Sequence, residues 1–448
     1  MDTPIFDFAG QYARDGATRA HMPGHKGRGP LGCEALDLTE IKGADSLYEA
    51  DGIIRQSEDN AAQLFGAART IYSAEGSSLC IRTMLLLAAM RARQNGESDL
   101  WILAARNAHK VFIQTCALLD LDVGWLWDES GSFSLCRSIA RPETLERVLR
   151  NANHLPIAVY ITSPDYLGNE NDIRGLAEVA HAYGVPLLVD NAHGAYLKFL
   201  PESRHPMSLG ADICCDSAHK TFPCLTGSAY LHISPSAPPE FSEFAKQAMA
   251  QFGSTSPSYL ILESLDRNNR FLAEGYGAEL LACVEKINGL KKNLAGMGWQ
   301  ILPSDELKLT VEPRGMGYTG DSLSDLLANH RIICEYSDPD NTVLMLTPSN
   351  TDEDFERILR AFSEIPPETK SESPTLKLPR PEVYCSPRQT LFAPRKCIPV
   401  EQSAGRVLAA VTMSCPPAVP AVVCGEIIPD EAIPVLQYYG TQEVWVIT

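Results

Sequence analysis

The sequence lacks the features of a membrane protein, of an exported protein and of a disulfide scaffold. None of its apolar runs is long enough to cross a bilayer, and its start has neither the basic nor the apolar region of a signal peptide. The 13 cysteines include no Cys-x-x-Cys pair, and several lie inside apolar runs. That pattern predicts free, buried thiols in a reducing compartment and no zinc site. We therefore expect a cytoplasmic protein with no bound metal and no membrane partner.

Basic residues are also scarce. Lys and Arg together number 38 against 56 Asp and Glu, which gives a net charge of -18. A nucleic-acid partner is not expected, because neutralising phosphates requires Lys and Arg. The negative charge would draw a cationic substrate weakly toward the surface, although solubility alone explains it equally well. The chain shows no internal repeat and no low-complexity block.

The chain has the length and the patterning of a multidomain α/β protein. At 448 residues with 45% hydrophobic composition it should form two or three domains. From about residue 70, runs of four to seven apolar residues alternate with amphipathic stretches, which predicts βαβ units and a largely parallel sheet. We predict an N-terminal arm packed on the large domain (1–70), the large domain (71–240), a linking helix with a small α/β domain (241–365), and a linker with a C-terminal segment (366–448).

Several polar residues fall where predicted strands end. Gly76, His109, Asp165, Asp190 and Lys220 all follow apolar runs. Binding sites of open α/β sheets lie at the carboxyl ends of the strands. This spacing therefore predicts one site that contains these residues.

Lys220 and Asp190 together indicate pyridoxal phosphate chemistry. A lysine amine can form a Schiff base with the cofactor aldehyde, and a carboxylate can keep the pyridine nitrogen protonated so that the ring accepts electrons. Taken alone, such a lysine is usually a surface residue and such an aspartate often a helix N-cap. The two residues end apolar runs only thirty positions apart, and a phosphate-binding loop accompanies them.

The predicted loop is the segment 75–79. Glycine allows a tight turn, and the N–H groups and hydroxyls of Ser77 and Ser78 would meet an anion at a helix N-terminus. A plain serine N-cap is the alternative.

His109 could stack on the pyridine ring and deliver a proton, or be an ordinary surface or core residue. His193 could orient the Asp190 carboxylate, and Ser217 could add a phosphate contact.

Nine segments of the chain resemble the ornithine/lysine/arginine decarboxylases, which have the aspartate-aminotransferase fold (PLP fold type I). They follow the family order across nearly the whole chain. The segments are His21–Gly27, Asp37–Glu40, Gly76–Ser78, Arg106–Lys110, Thr162–Tyr166, Asp190–Gly194, Ser217–Lys220, Ser254–Tyr259 and Cys415–Pro420.

The resemblance implies an architecture and a set of roles. The fold would have a mostly parallel seven-stranded sheet and a smaller C-terminal α/β domain, without the N-terminal wing domain of larger members. Lys220, Asp190 and His109 would be the catalytic residues, and the site would be shared in a homodimer or higher homo-oligomer. Residues expected to contact pyridoxal 5'-phosphate are Ser77, Ser78, His109, Asp190, His193, Ser217, His219, Lys220, Ser254 and Thr255.

The chain departs from the family pattern at five places, one of which is Ala418 and Val419, where the family favours Gly and Ile. Asn191 stands for a glutamate and Tyr196 for a second histidine. Gln389 stands for another glutamate and Cys415 for a tyrosine. These changes affect residues expected near the substrate and leave the residues expected to contact the cofactor unchanged.

The expected reaction is decarboxylation of a basic L-amino acid, namely arginine, lysine or ornithine, to an amine that serves as a polyamine precursor. Glu40 and Asp45 are candidates for binding the side-chain cation, although both could lie in a solvated loop. An aminotransferase or lyase is one alternative, with Arg314 or Arg331 as the carboxylate ligand. A non-catalytic homologue is the other.

Overall fold

The computed structural model describes residues 1–129, 135–369, 374, 376–410 and 419–448. Contacts divide the chain into two compact units. The first consists of residues 1–102, 142–163 and 172–277, and the second of residues 103–141, 164–171 and 278–448. The four-segment division that we predicted from the sequence stays a prediction.

A seven-stranded sheet holds the strands that precede the predicted site residues. The strand order is β1-β7-β6-β5-β4-β2-β3. The strands are β1 (Arg69–Ser73), β2 (Trp101–Ala105), β3 (Asp122–Leu126), β4 (Val159–Thr162), β5 (Leu187–Asp190), β6 (Ile213–Asp216) and β7 (Ala229–Ile233).

The central strands explain the apolar runs in the sequence. β4, β5 and β6 pair in parallel, and every residue of β5 and β6 is buried. Strands covered on both faces need continuous rather than alternating apolar residues. β7 runs antiparallel to both β6 and β1. The mostly parallel seven-stranded sheet predicted from the sequence is confirmed.

Helices connect and cover these strands. The helices up to the end of the sheet are α1 (Pro4–Arg14), α2 (Ile53–Phe65), α3 (Gly76–Gln94), α4 (Lys110–Leu119), α5 (Pro142–Asn151), α6 (Ile173–Ala182), α7 (Pro206–Leu209) and α8 (Ala218–Thr221). The later helices are α9 (Pro239–Ala250), α10 (Tyr259–Ala273), α11 (Tyr276–Gly296), α12 (Gly320–Asn329), α13 (Asp352–Glu364), α14 (Pro387–Phe392) and α15 (Ala432–Tyr438).

Two long helices, α10 and α11, lie in the segment 241–365, where we predicted a linking helix. Gly275 separates α10 from α11 and has φ +125°, a conformation that side-chain-bearing residues rarely adopt. None of the helices among the described residues has the length and apolarity needed to cross a membrane.

The second unit contains two smaller sheets. Antiparallel strands form a four-stranded sheet in the order β10-β11-β9-β8 and a two-stranded sheet of β12 and β13. The strands are β8 (Gln300–Leu302), β9 (Lys308–Glu312), β10 (Tyr336–Ser337), β11 (Thr342–Met345), β12 (Arg395–Pro399) and β13 (Glu443–Ile447). The short apolar runs of the tail form their own core, in which Val400, Leu408, Val435 and Val446 are fully buried.

Glu263 of α10 is an acidic residue in an unfavourable place. Its side chain is buried, with 3% of its surface exposed. Burial, together with the negative charges of Asp37 and Asp266, raises the pKa of Glu263 to about 8. The folded protein therefore holds a proton on this carboxyl group at neutral pH.

This proton makes stability depend on pH. Because the folded pKa of Glu263 lies above its ordinary value near 4.5, the folded state binds more protons, and stability falls as pH rises from about 4.5 through 8. Glu263→Gln removes that loss. We expect its melting temperature to exceed that of the wild type at pH 9, by about 1 °C per kcal/mol regained for a chain of this length, and the gain to vanish at pH 5. Glu279→Gln, at an exposed helical position, is the control, and an equal gain at both pH values would contradict the assignment.

Candidate active site

The parallel pairing of β5 and β6 brings two of the predicted site segments together. Asp190, the last residue of β5, lies opposite Cys215 of β6. The next residue of β6 is Asp216, and α8, which carries Lys220, begins at Ala218. The segments after both strands therefore leave the sheet side by side, at its carboxyl edge.

The Asp190 carboxylate is buried and held by three donors. The Tyr160 hydroxyl donates to Oδ2 over 3.1 Å, and the Ala192 N–H donates to Oδ1 over 3.2 Å. The Cys215 thiol lies 3.6 Å from Oδ1. Burial, with the nearby charge of Asp190, raises the pKa of Tyr160 well above its usual range, so its hydroxyl stays a donor. Sequence reasoning missed Tyr160, since a tyrosine inside an apolar strand carries no signal of a partner.

Lys220 lies beside His193. The Lys220 amine, on a half-buried side chain, is 2.9 Å from His193 Nε2. The structure thus places the His193 imidazole against the lysine amine, and its predicted role in orienting Asp190 stays a prediction. His219 faces another way, and its Nδ1 lies 2.9 Å from the Ser228 carbonyl oxygen.

The predicted phosphate loop begins a long helix. Gly76 has φ +69° and is the first residue of α3, and a Cβ placed on it would meet no atom within 4 Å. The Ser217 hydroxyl donates to the Ser77 hydroxyl over 2.9 Å, so these two predicted phosphate ligands lie together. Ser78 is half-buried in the same turn. Open space at the N-terminus of a 19-residue helix suits an anion.

The remaining candidates of the first unit lie in exposed or turn segments. Ser254 and Thr255 are exposed, and the Ser254 N–H donates to Glu75 Oε1 over 2.6 Å, next to the α3 turn. Glu40 is exposed and accepts the Ser46 hydroxyl over 2.7 Å. Asp45 differs from it, because its two oxygens accept N–H groups from the four backbone positions 46, 51, 52 and 54. The Asp45 carboxylate therefore organises a turn.

His109 is the N-cap of α4, and its Nδ1 accepts the Val111 N–H over 3.3 Å. Its segment is anchored by Arg106, which is fully buried. The Arg106 guanidinium makes two hydrogen bonds to Glu426, of 2.6 and 2.7 Å, and stacks between Trp125 and Trp127 at 4.7 Å from each ring. Sequence reasoning missed this pair, because Arg106 and Glu426 are 320 residues apart.

The departures from the family pattern have different structural consequences. Asn191 is fully buried and donates to Asp216 Oδ1 over 2.6 Å. Tyr196 is fully buried in a short 3-10 helix. Gln389 completes a capping box with Ser386, which any glutamine or glutamate at that position can do. Cys415 lies outside the described residues.

The site fits pyridoxal phosphate in three respects. A lysine amine lies at the carboxyl edge of the sheet, next to an imidazole. A buried carboxylate with fixed orientation lies on the neighbouring strand. The N-terminus of α3 and a pair of hydroxyls offer donors for a phosphate group.

Comparisons with known proteins agree with this arrangement. Residues 3–314 match the profile of the family described as "Orn/Lys/Arg decarboxylase, major domain". The arginine decarboxylase of Bacillus subtilis (strain 168) is 30% identical over 466 residues, which cover 96% of this chain and 92% of that protein. The arginine decarboxylase of Halalkalibacterium halodurans is also 30% identical, covering 96% of this chain and 91% of the relative.

A solved structure shows the same fold. The lysine decarboxylase of Francisella novicida superposes with a TM-score of 0.79 at 16% sequence identity, covering 100% of this chain and 81% of that one. At such a low identity, the superposition is evidence for a shared fold and for nothing more. The predicted fold class, PLP fold type I, is confirmed.

The buried Arg106–Glu426 pair generates a stability prediction. Glu426→Gln leaves a buried guanidinium without its counter-charge, which should cost about 3–5 kcal/mol. Denaturant unfolding at pH 7 measures the loss. Glu431→Gln, at the exposed start of α15, should change stability by less than about 0.5 kcal/mol. Similar stability of Glu426→Gln and the wild type would show that the pair does not hold the His109 segment.

Proposed function

This chain belongs to the Orn/Lys/Arg decarboxylase family, and we propose that it removes the α-carboxyl group of L-arginine as carbon dioxide. Membership makes it a PLP-dependent decarboxylase of basic amino acids. Arginine is the first choice among them because the two relatives at 30% identity are named arginine decarboxylases. The observation that carries the proposal is the pairing of β5 and β6, which sets the Asp190 and Lys220 segments side by side.

Pyridoxal phosphate, when bound, supplies the electron sink that lets the bond between Cα and the carboxylate break. We propose that Lys220 holds it through its amine and that Asp190 pairs with its ring nitrogen. Ser77, Ser78 and Ser217 would hold the phosphate, and His109 would lie against the ring.

We propose that Lys220 and its neighbour His193 carry out the proton transfers. Lys220 Nζ, at 2.9 Å from His193 Nε2, can exchange a proton with the imidazole. We propose that Lys220 returns a proton to Cα after carbon dioxide leaves, with His109 as the alternative donor. Tyr160 and the Ala192 N–H keep the Asp190 carboxylate in one orientation throughout.

Selectivity for the substrate cation requires an acidic group. Of the two candidates, Glu40 is the better one, since it is exposed and makes one hydrogen bond to a hydroxyl. The oxygens of Asp45 already accept backbone N–H groups. The exposed Ser254 and Thr255 would meet a second copy of the chain, so we propose a homodimer with shared sites.

The aminotransferase alternative needs an arginine to bind the substrate carboxylate, and one of its two candidates is already paired. Arg314 is paired with Asp340 over 2.6 Å and also donates to the Tyr438 hydroxyl. The alternative still has Arg331, which is exposed in a left-handed turn with φ +61°. An arginine already bound to a carboxylate is a poor ligand for a substrate carboxylate, which favours decarboxylation.

The direct test is product analysis with purified, PLP-loaded protein and a panel of common L-amino acids. We expect carbon dioxide and agmatine from L-arginine, with kcat/KM at least tenfold above that for L-lysine or L-ornithine. Mass spectrometry identifies the amine, and Lys220→Ala is the blank. A keto acid product would show an aminotransferase, and failure to act on all three basic amino acids would refute the proposal.

The two central residues can be separated by their effects. Lys220→Ala should lose the visible absorbance of the covalently held cofactor after dialysis. Asp190→Asn should keep the cofactor and lower kcat by about a thousandfold, because the amide cannot hold a proton on the ring nitrogen. Tyr160→Phe removes one of the hydrogen bonds that the Asp190 carboxylate accepts and should cost less, about ten- to a hundredfold. Near-normal turnover of Asp190→Asn would remove Asp190 from the mechanism.

A further inference from the structure

Three side chains, those of Asn191, His205 and His232, converge on Asp216, the last residue of β6. The Asn191 amide donates to Oδ1 over 2.6 Å, and the rings of His205 and His232 approach Oδ2 at 2.9 and 3.2 Å. The Thr70 hydroxyl contacts the other side of His232 at 2.8 Å. Asp216, Asn191, His205 and His232 have no exposed surface. The group lies inside the first unit, and the chemistry proposed above does not use it.

The hydrogen bonds fix the protonation of this group. Burial alone would raise the pKa of Asp216, but His205 and His232 hold it well below its usual range. An ionised carboxylate only accepts, so both Nε2 atoms carry protons. The second contact of His205 supports this, because its Nδ1 accepts the Met207 N–H over 3.3 Å and the ring proton must then be on Nε2. The two histidines and Asp216 lie close enough to ligate a metal, and both Nε2 atoms would have to lose their protons to do so. The group is a hydrogen-bond network.

The network lies immediately below the site. Asn191 follows Asp190, and its N–H donates to the Cys215 carbonyl oxygen over 3.0 Å, the last backbone bond between the two segments. One step further along, where β5 and β6 have ended their pairing, the side chain of Asn191 makes its hydrogen bond to the side chain of Asp216. Beyond it, one segment carries His193 and the other carries Lys220, and these two meet at 2.9 Å.

The network also explains a departure from the family pattern. The resemblance implies a glutamate where this chain has Asn191. A glutamate there would place a second carboxylate against Asp216, and two buried like charges in contact repel strongly. With an amide at 191, the carboxylate at 216 has a donor for Oδ1, and the histidines supply donors for Oδ2.

We propose that Asp216 is a positioning residue that, through Asn191, His205 and His232, sets the turn carrying His193 against the helix carrying Lys220. The proposal rests on the proposed function in taking Lys220 as the lysine that holds the cofactor. It assigns to positions 191 and 216 one shared requirement, an amide facing a carboxylate. The order of the two groups is interchangeable, because an amide at position 216 would donate to a carboxylate at position 191 and still accept from both histidines.

A double-mutant cycle tests this requirement. Asn191→Asp should weaken PLP binding at least tenfold, because two carboxylates then meet. Asp216→Asn alone should weaken it about threefold, since an amide can turn to accept from another amide. The double variant, Asn191→Asp with Asp216→Asn, should return to within about threefold of the wild type. Titration of the visible absorbance gives the PLP affinity, and the absorbance of the bound cofactor against pH should shift in Asn191→Asp and recover in the double variant.

Two outcomes would overturn the proposal. Additive effects in the double variant would mean that positions 191 and 216 do not interact. A stoichiometric metal in the purified wild type, lost in His205→Gln, would make the group a metal site. If Asn191→Asp does not fold, Asn191→Ala replaces it, and adding Asp216→Asn to that variant should then cost no further affinity. A further loss of affinity there would count as additivity.

Controls separate positioning from stability and from the reaction itself. Asn268 is another buried asparagine of this unit, whose amide donates to Tyr230. Asn268→Asp should lower the melting temperature and leave the PLP affinity unchanged, whereas an equal loss of affinity would reduce Asp216 to a stability residue. The cycle needs no substrate, so the absence of decarboxylation would refute the proposed function without affecting this test.

Discussion

The parallel register between β5 and β6 is the constraint on which the rest of the site depends. Asp190 lies opposite Cys215, and both strands are buried along their whole length. A slip of one residue would turn each buried side chain to the other face and move the ends of both strands. Because the core fixes the register, the two segments that leave the strands have little freedom, and Lys220 meets His193 where they end.

Buried acidic groups in this protein differ according to the donors around them. Asp216 accepts N–H groups from one amide and two imidazoles, and the two imidazoles lower its pKa despite complete burial. Burial raises the pKa of Glu263, and its acidic neighbours Asp37 and Asp266 raise it further. Burial raises the pKa of both groups, and the hydrogen bonds and neighbouring charges then decide which carboxyl group is ionised. The fold thus holds one carboxylate charged beneath the site and another neutral on α10.

At some positions this chain has a residue that differs from the family pattern and still makes the hydrogen bonds that the fold needs there. Gln389 completes the capping box of α14 in place of a glutamate, and Asn191 meets the Asp216 carboxylate from the position where the family has an acid. In both places the donor and acceptor pattern is satisfied by the residues present. The chain has the same fold as a lysine decarboxylase, with a TM-score of 0.79, at 16% sequence identity.

The sequence by itself determined the strands, their ends, and the candidates Asp190 and Lys220, because apolar runs and the turns that end them are local patterns. It also favoured Glu40 and Asp45 equally, and only the structure showed that Asp45 binds backbone N–H groups. Tyr160 beneath Asp190, and the two histidines around Asp216, also became partners only in the folded chain. Strand order and register bring together residues that lie 11 to 30 positions apart. Local patterning cannot specify such meetings, since they depend on how the whole sheet assembles.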